Sequence, residues 1–443
     1  MQLTSHERRV VDAIADRRDA LVTLASELVG FDTITHTAGA APRQERALQE
    51  HLAALLRSHG AEVELHEPDA AALRPHPMVP EELTFEGRPQ LVARFRGSGG
   101  GRTLLLNGHV DVVEVEPRAD WTQPDPFTAE IRDGRLYGRG SCDMKGGVAS
   151  MVMAACVLAE LGVPLAGDLI VNTVTEEEST GAGGLYAART LQADAAIVPE
   201  PSGLVVWVAC RGSLLPRITV RGRAGHAGIH QLPPELGGAV NAIEKMAIVL
   251  EAVRRLREHW AQRPSHPYLS AGDCVPTIVA GGEWLVSYPA SCTLEVHIEY
   301  LPDRADASGY GSLVEQEFCD WIADATAGDA WLAEHPPEIV WGVGGVPPAE
   351  VGTDDPIVQT LLVAGRDLEQ IQSLGGLDNW HDGATLTVEA GIPAVCFGPG
   401  DVHRAHTADE YVPIADLVAC AQRIALAAMR FCGGGAPGAR FGV

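Results

Sequence analysis

Four runs in this chain, TLLLNGHVDVV, DLIVNTVTEEE, AAIVPEP and IPAVCFGPG, stay apolar until they stop abruptly on polar, charged or glycine residues. A strand that does not alternate between polar and apolar residues has both faces buried, which in a soluble protein means a sheet with helices on either side. Segments of helical period lie beside these runs: 6–30, then 42–59 with Leu48, Leu52, Leu55 and Leu56 on one face, then VASMVMAACVLAELG, closed by Gly162 and Pro164. This alternation predicts an α/β fold with a mixed, mostly parallel sheet covered by helices on both faces.

Near residue 212 the texture changes. SLLPRITVRGRAG alternates, and the long helical segment GGAVNAIEKMAIVLEAVRRLREHW follows it. The alternating strands CVPTIVAGG and SCTLEVHIEYLP come next, then a helix near 308–325 and the strand PEIVWGV. That order, β-α-β-β-α-β, predicts an inserted ferredoxin-like α+β domain. After GVGGVPPAEVG the first texture returns, ending in a helix over about 414–431. The expected organisation is a main domain in two pieces, 1–212 and 351–443, around an insert at 213–350. The Gly-rich end after Cys432 reads as frayed.

Composition narrows the partners. With 33 basic against 59 acidic residues the net charge is -26, which argues against nucleic acid and against an anionic membrane surface. Most of this acid reads as solubilising, and it favours cations nearby. The 9 cysteines include no CxxC pair and are odd in number, so they read as buried thiols and not as a disulfide framework. No apolar run is long enough to span a membrane, and the start, MQLTSHERRVVDAIADRR, lacks the pattern of a signal peptide. The expected location is the cytoplasm.

Open α/β sheets carry their sites at the carboxyl ends of the strands. There this chain presents His109 and Asp111, the run Glu176, Glu177 and Glu178, Glu200, and His406, while Asp143 sits in GRLYGRGSCDMKGG just before a helix. Each alone has a plainer reading: a strand-end turn for HVD, a helix cap for Asp143, a solvated turn for three adjacent acids. GRGSCD lacks the third glycine of a dinucleotide loop and the GK[ST] of a P-loop, which argues against a phosphate site. Together, His109, Asp143, one glutamate of the acidic run, Glu200 and His406 form an N/O donor set suited to zinc or a similar divalent ion. Five donors exceed one tetrahedral site, but shared between two ions, with one carboxylate bridging, they leave room for a common water. Asp111, two residues along an extended segment from His109, shares its face and is placed to accept the other ring N–H.

The segments LNGHVDVV, GRLYGRGSCDMKGG, TEEESTGAGG, VPEPSG, GRAGHAG and FGPGDVHRAHTADEYV, with WHDGATLTVEAGIPAV before the last, resemble the acetylornithine deacetylase and succinyl-diaminopimelate desuccinylase family. Glutamate carboxypeptidases and aminoacylases are its relatives, and the resemblance covers nearly the whole chain. It implies two Zn2+ per subunit, with Co2+ or Mn2+ as substitutes: His109 and Glu200 on one, Glu178 and His406 on the other, and Asp143 bridging. It implies that Asp111 orients His109, that Glu177 is the general base and that Glu176 is an outer acid. The insert becomes a lid and dimerisation domain, whose His226 reaches the partner subunit's site as an oxyanion donor, so the expected assembly is a homodimer.

One departure bears on substrate. Relatives carry an Arg near the end of a lid strand, before Leu-Pro, that holds a substrate carboxylate; LEVHIEYLPD has Glu299 there. The implied substrate lacks a carboxylate at that point or carries an amine, the alternatives being a shifted register or an Arg from elsewhere. The expected reaction is hydrolysis of an amide in a small N-acylated amino acid or amine. A dipeptidase or carboxypeptidase with the same machinery is the alternative. A non-catalytic binding protein on the same fold is opposed by the complete set of ligands together with Glu177 and His226.

Overall fold

The computed structural model describes residues 3–35, 41–342 and 345–433. The chain forms two compact units, one built from Met1–Ala209, Glu350–Leu377 and His381–Val443, the other from Cys210–Ala349 and Asp378–Trp380.

In the first unit the sheet runs in the order Glu62–His66, Gln90–Phe95, Leu169–Val174, Leu104–His109, Ala195–Val198, Ala394–Cys396, Val206–Cys210. Its centre is parallel: Leu104–His109 pairs in parallel with Leu169–Val174 and with Ala195–Val198, which in turn pairs in parallel with Ala394–Cys396. The flanks are antiparallel. The mixed sheet expected from the sequence therefore has its parallel pairing concentrated in the four strands whose apolar runs are unbroken. Every residue of Leu104–His109, Leu169–Val174 and Ala195–Val198 is buried, as both-face coverage requires.

The helical segment expected over 6–30 is two helices, Ser5–Asp16 and Arg18–Val29, the first opened by a capping box in which Thr4 and Glu7 satisfy each other's amides. A helix absent from the sequence reading, Ala182–Thr190, follows the acidic run. Its glycines serve close packing: a Cβ on Gly183 would collide with the carbonyl of Thr175, and one on Gly184 with the carboxylate of Asp382.

The second unit holds a sheet in the order Asp273–Gly281, Ser291–Tyr300, Pro216–Arg221, Glu338–Trp341, antiparallel throughout. In chain order this is 2-3-1-4, the ferredoxin-like arrangement that the alternating texture predicted. Along Ser291–Tyr300, alternate residues Cys292, Leu294, Val296 and Ile298 enter a core shared with Val249, Val253 and Leu256 of the helix Ala242–Trp260 and Phe318 of Ser312–Thr326. Residues 378–380 join this unit because the Asp378 carboxylate accepts the Ser270 amide at 2.7 Å while its carbonyl accepts from Arg211.

Candidate metal centre

Because the central strands are parallel, their carboxyl ends emerge on one edge, with His109 level with Val174. His109 closes its strand, Glu177 and Glu178 follow Val174, Glu200 lies two residues beyond Val198, and His406 follows the strand Ala394–Cys396. Asp143 enters from the turn before the helix Lys145–Glu160.

Two donor sets result. In His109, Asp143 and Glu200 the ligand atoms all lie within 4.8 Å of one another, and so do those of Asp143, Glu178 and His406. Asp143 belongs to both, and it does so with different atoms: Oδ1 is 3.1 Å from His109 Nε2, and Oδ2 is 3.4 Å from His406 Nε2. Glu200 Oε1 is 3.6 Å from His109 Nε2, and Glu178 Oε2 is 3.1 Å from His406 Nε2. Glu177 is in neither set; its Oε2 stands 4.0 Å from His109 Nε2. The His406 side chain is 51 % exposed, so the site is open on that side.

His109 is oriented by Asp111, though not by the atoms expected. Its Nδ1–H donates to the Asp111 backbone carbonyl at 2.9 Å, and the nearest carboxylate oxygen stands off at 3.8 Å. That bond fixes the proton on Nδ1 and leaves the Nε2 lone pair facing the donor set. The Asp111 carboxylate instead accepts the Glu178 amide at 3.1 Å, pinning the turn that carries both glutamates.

The acidic run is also split. Glu176, expected as an outer acid, is buried and paired with Arg88, which also faces Glu45, and it accepts from Ser179 Oγ at 2.5 Å. At φ 70° Glu176 is left-handed, and its carboxylate goes to Arg88 and Ser179 and to neither donor set. His406 is left-handed as well, at φ 59°, and both conformations carry a cost that only the surrounding structure sustains.

The electrostatics suit cations. Burial, and then neighbouring acids, push the carboxyls of Glu177 and Glu200 well above the usual range and that of Glu178 above it. Burial also opposes ionisation of Asp143, but the hydrogen bonds from His109 and His406 outweigh it and hold this group below its ordinary value. His406 is pushed up to about 11 by its bonds to Asp143 and Glu178. Glu200 Oε1 is buried with no hydrogen-bond partner. An unsatisfied carboxylate oxygen, an imidazole lone pair and an aspartate whose two oxygens face separate sets fit a pair of divalent ions.

Two features had no recognisable sequence signal. One is Arg88, 88 residues from its partner Glu176. The other is a buried polar chain beneath the site, in which Asn172 donates to Asn107 at 2.5 Å and Asn107 to Asp382 at 3.2 Å. Burial pushes Asp382 up to about 7.

In the second unit His226 is exposed, on the short strand Gly225–His226, where its Nδ1 accepts the Gly228 amide at 3.0 Å. The neutral ring then carries its proton on Nε2, as a donor. Glu299 stands 3.4 Å from Arg211 Nε and 3.1 Å from His297 Nε2. Arg211 is itself committed to the carbonyls of Ala271 and Asp378.

The profile of Peptidase family M20/M25/M40 matches residues 105–430. An N-formyl-4-amino-5-aminomethyl-2-methylpyrimidine deformylase of Bacillus subtilis is 28% identical over 430 residues, covering 91% of this chain and 93% of the relative. An acetylornithine deacetylase of Myxococcus xanthus is 33% identical over 348 residues, 78% of this chain and 84% of the relative. Among solved structures, a Bacillus subtilis protein described as a dinuclear metal-binding peptidase of the M20 family superposes with a TM-score of 0.62 at 13% identity, over 94% of this chain and 99% of its own. On the profile match and the Myxococcus relative, this chain belongs to peptidase family M20/M25/M40.

Proposed function

We propose that the protein is a dinuclear metal-dependent amidohydrolase that cleaves the amide of a small N-acylated amine or amino acid. The observation that carries the reading is Asp143, whose two oxygens face separate His/Glu pairs with Glu177 beside them. His109 and Glu200, Glu178 and His406, and the shared Asp143 would hold a pair of divalent ions, which would supply Lewis acidity for water activation and carbonyl polarisation; zinc suits these donors, with cobalt or manganese as substitutes. Glu177 takes the proton of the attacking water and passes it to the leaving amine. Asp111 keeps His109 in the tautomer that offers Nε2, and His226 Nε2–H donates to the oxyanion.

The Arg211–Glu299–His297 cluster bears on substrate. Glu299 faces Arg211 and His297, and Arg211 is taken up by two carbonyls, so this cluster offers no cation to a substrate carboxylate. The substrate we favour is an N-acyl amine without a carboxylate at that position, a class to which the formylated pyrimidine named for the Bacillus relative belongs. Zinc-loaded protein is expected to turn over such amides faster than N-acetylornithine, succinyl-diaminopimelate or dipeptides. Efficient turnover of the carboxylate-bearing compounds refutes the substrate class, and a metal-free protein that takes up no zinc, cobalt or manganese refutes the enzyme reading.

The working unit we infer is a homodimer formed through the second unit. Asp273–Gly281 is an edge strand, and it exposes Ile278 and Val279 by 62% and 59%. An apolar edge of this kind is a template for pairing with a second copy. Val279→Lys should give a folded monomer by sedimentation. Turnover should then fall by about 10²- to 10³-fold, the usual cost of losing one oxyanion donor, because His226 no longer reaches a partner's site. A monomer of full activity speaks against that role. The nine cysteines are all free, in keeping with the cytoplasm, and among the described residues no helix is long and apolar enough to cross a membrane.

A further inference from the structure

Glu410 lies between His406 and the strand Tyr411–Pro413, and it is fully buried. Its carboxylate takes four donors. Oε1 accepts the amides of Cys142 at 2.8 Å and Asp143 at 3.0 Å; Oε2 accepts the Gly140 amide at 3.0 Å and Arg139 Nη1 at 2.6 Å. Its carbonyl accepts the Gly138 amide at 3.0 Å. Three amides of one short turn converging on one carboxylate form a backbone cradle for negative charge. Arg139 supplies the countercharge, and its other Nη is held by the Glu114 carbonyl at 2.9 Å. The strand after Glu410 pairs with Arg135–Tyr137, so both sides of the clasp belong to one small sheet.

The turn that Glu410 holds ends on Asp143, the residue common to both donor sets, and Glu410 follows His406 by four residues on the same segment. We propose that Glu410 is a positioning residue that sets Asp143 between the two sets, so that both metal sites depend on a carboxylate that belongs to neither. This inference rests on the two-ion reading given above. Glutamine at 410 would turn an NH2 group toward N–H donors, and the turn would have to move away from it. Aspartate would keep the charge but withdraw it by one methylene.

The test is a zinc titration of metal-free wild type, Glu410→Gln and Glu410→Asp against a chelating competitor, with circular dichroism to establish folding. Outer partners of metal ligands typically govern affinity by about 10- to 100-fold. Both variants are expected to lose affinity in that range at both sites together, and to recover turnover at saturating zinc with KM unchanged. Glu178→Gln, by contrast, should weaken one site in preference. A purely structural role would lower the melting temperature and leave both affinities alone, which would overturn the proposal; so would a loss confined to one site. Should Glu410→Gln fail to fold, Glu410→Asp carries the same outcomes. A wild type that binds fewer than two ions defeats the two-ion reading, whereas a two-ion wild type with unaffected variants defeats only the role of Glu410.

Discussion

Glu177→Gln is expected to retain both metal ions and to lose turnover by about 10²- to 10⁴-fold, the usual range for a general base. The two neighbouring glutamates have separate surroundings. Glu178 stands 3.1 Å from His406 and completes a donor set, whereas Glu177 is outside both sets and 4.0 Å from His109. Glutamine keeps the volume and one oxygen of Glu177 but cannot hold the proton. The companion variant, Glu178→Gln, should bind metal more weakly. Metal content measured beside kcat separates the two, and the reverse pattern would show that the two residues exchange roles.

The largest expected effect on stability is at Arg88. This guanidinium is buried between Glu176 and Glu45, and Arg88→Met would leave two carboxylates without their countercharge. Breaking a buried ion pair by removing one partner costs about 3–5 kcal/mol. The loss should depend on pH in a definite direction. Burial pushes the Glu176 carboxyl up to about 7 from 4.5, with Arg88 pulling against that rise. A raised value means that the folded protein binds this proton more tightly. Its stabilising effect is present in full below the ordinary value and lost as pH rises through about 7. Without Arg88 the ionised form is worse off still, so the deficit should be greatest near pH 8 and shrink toward pH 5. Urea unfolding at the two pH values measures it, and an equal deficit at both would sink this account.

Much of the fold was legible because buried parallel strands tolerate almost no polar residues until they end, so TLLLNGHV and AAIVPE announce both the sheet and the place where chemistry collects. The ferredoxin-like unit was legible for the opposite reason. One face of its sheet is not covered by its helices, so Ser291–Tyr300 alternates and its period can be read. What escaped was decided by the backbone and by distance along the chain. Nothing in EEE says that Glu176 turns left-handed and leaves the other two, and nothing in HVD says that the Asp111 carbonyl takes the imidazole while its carboxylate goes to Glu178. Asp382 meets Asn107 across 275 residues, and no local pattern marks such a pairing. The helix Ala182–Thr190 escaped because glycines chosen for close approach to Thr175 and Asp382 read as breakers.

The first unit is discontinuous, and this sets an order of events at the ribosome. His109, Asp143, Glu178 and Glu200 are all synthesised before Cys210, where the second unit begins, while His406 follows only after that unit is finished. Chains fold from their N-terminal parts as they emerge. The residues His109, Asp143 and Glu200 are therefore present early, but the strand Ala394–Cys396 beside Ala195–Val198 and the Glu410 carboxylate on the Asp143 amide arrive only with the last segment. Completion of the central sheet and of both donor sets waits for the same final segment, so a chain released early is expected to lack the geometry of either.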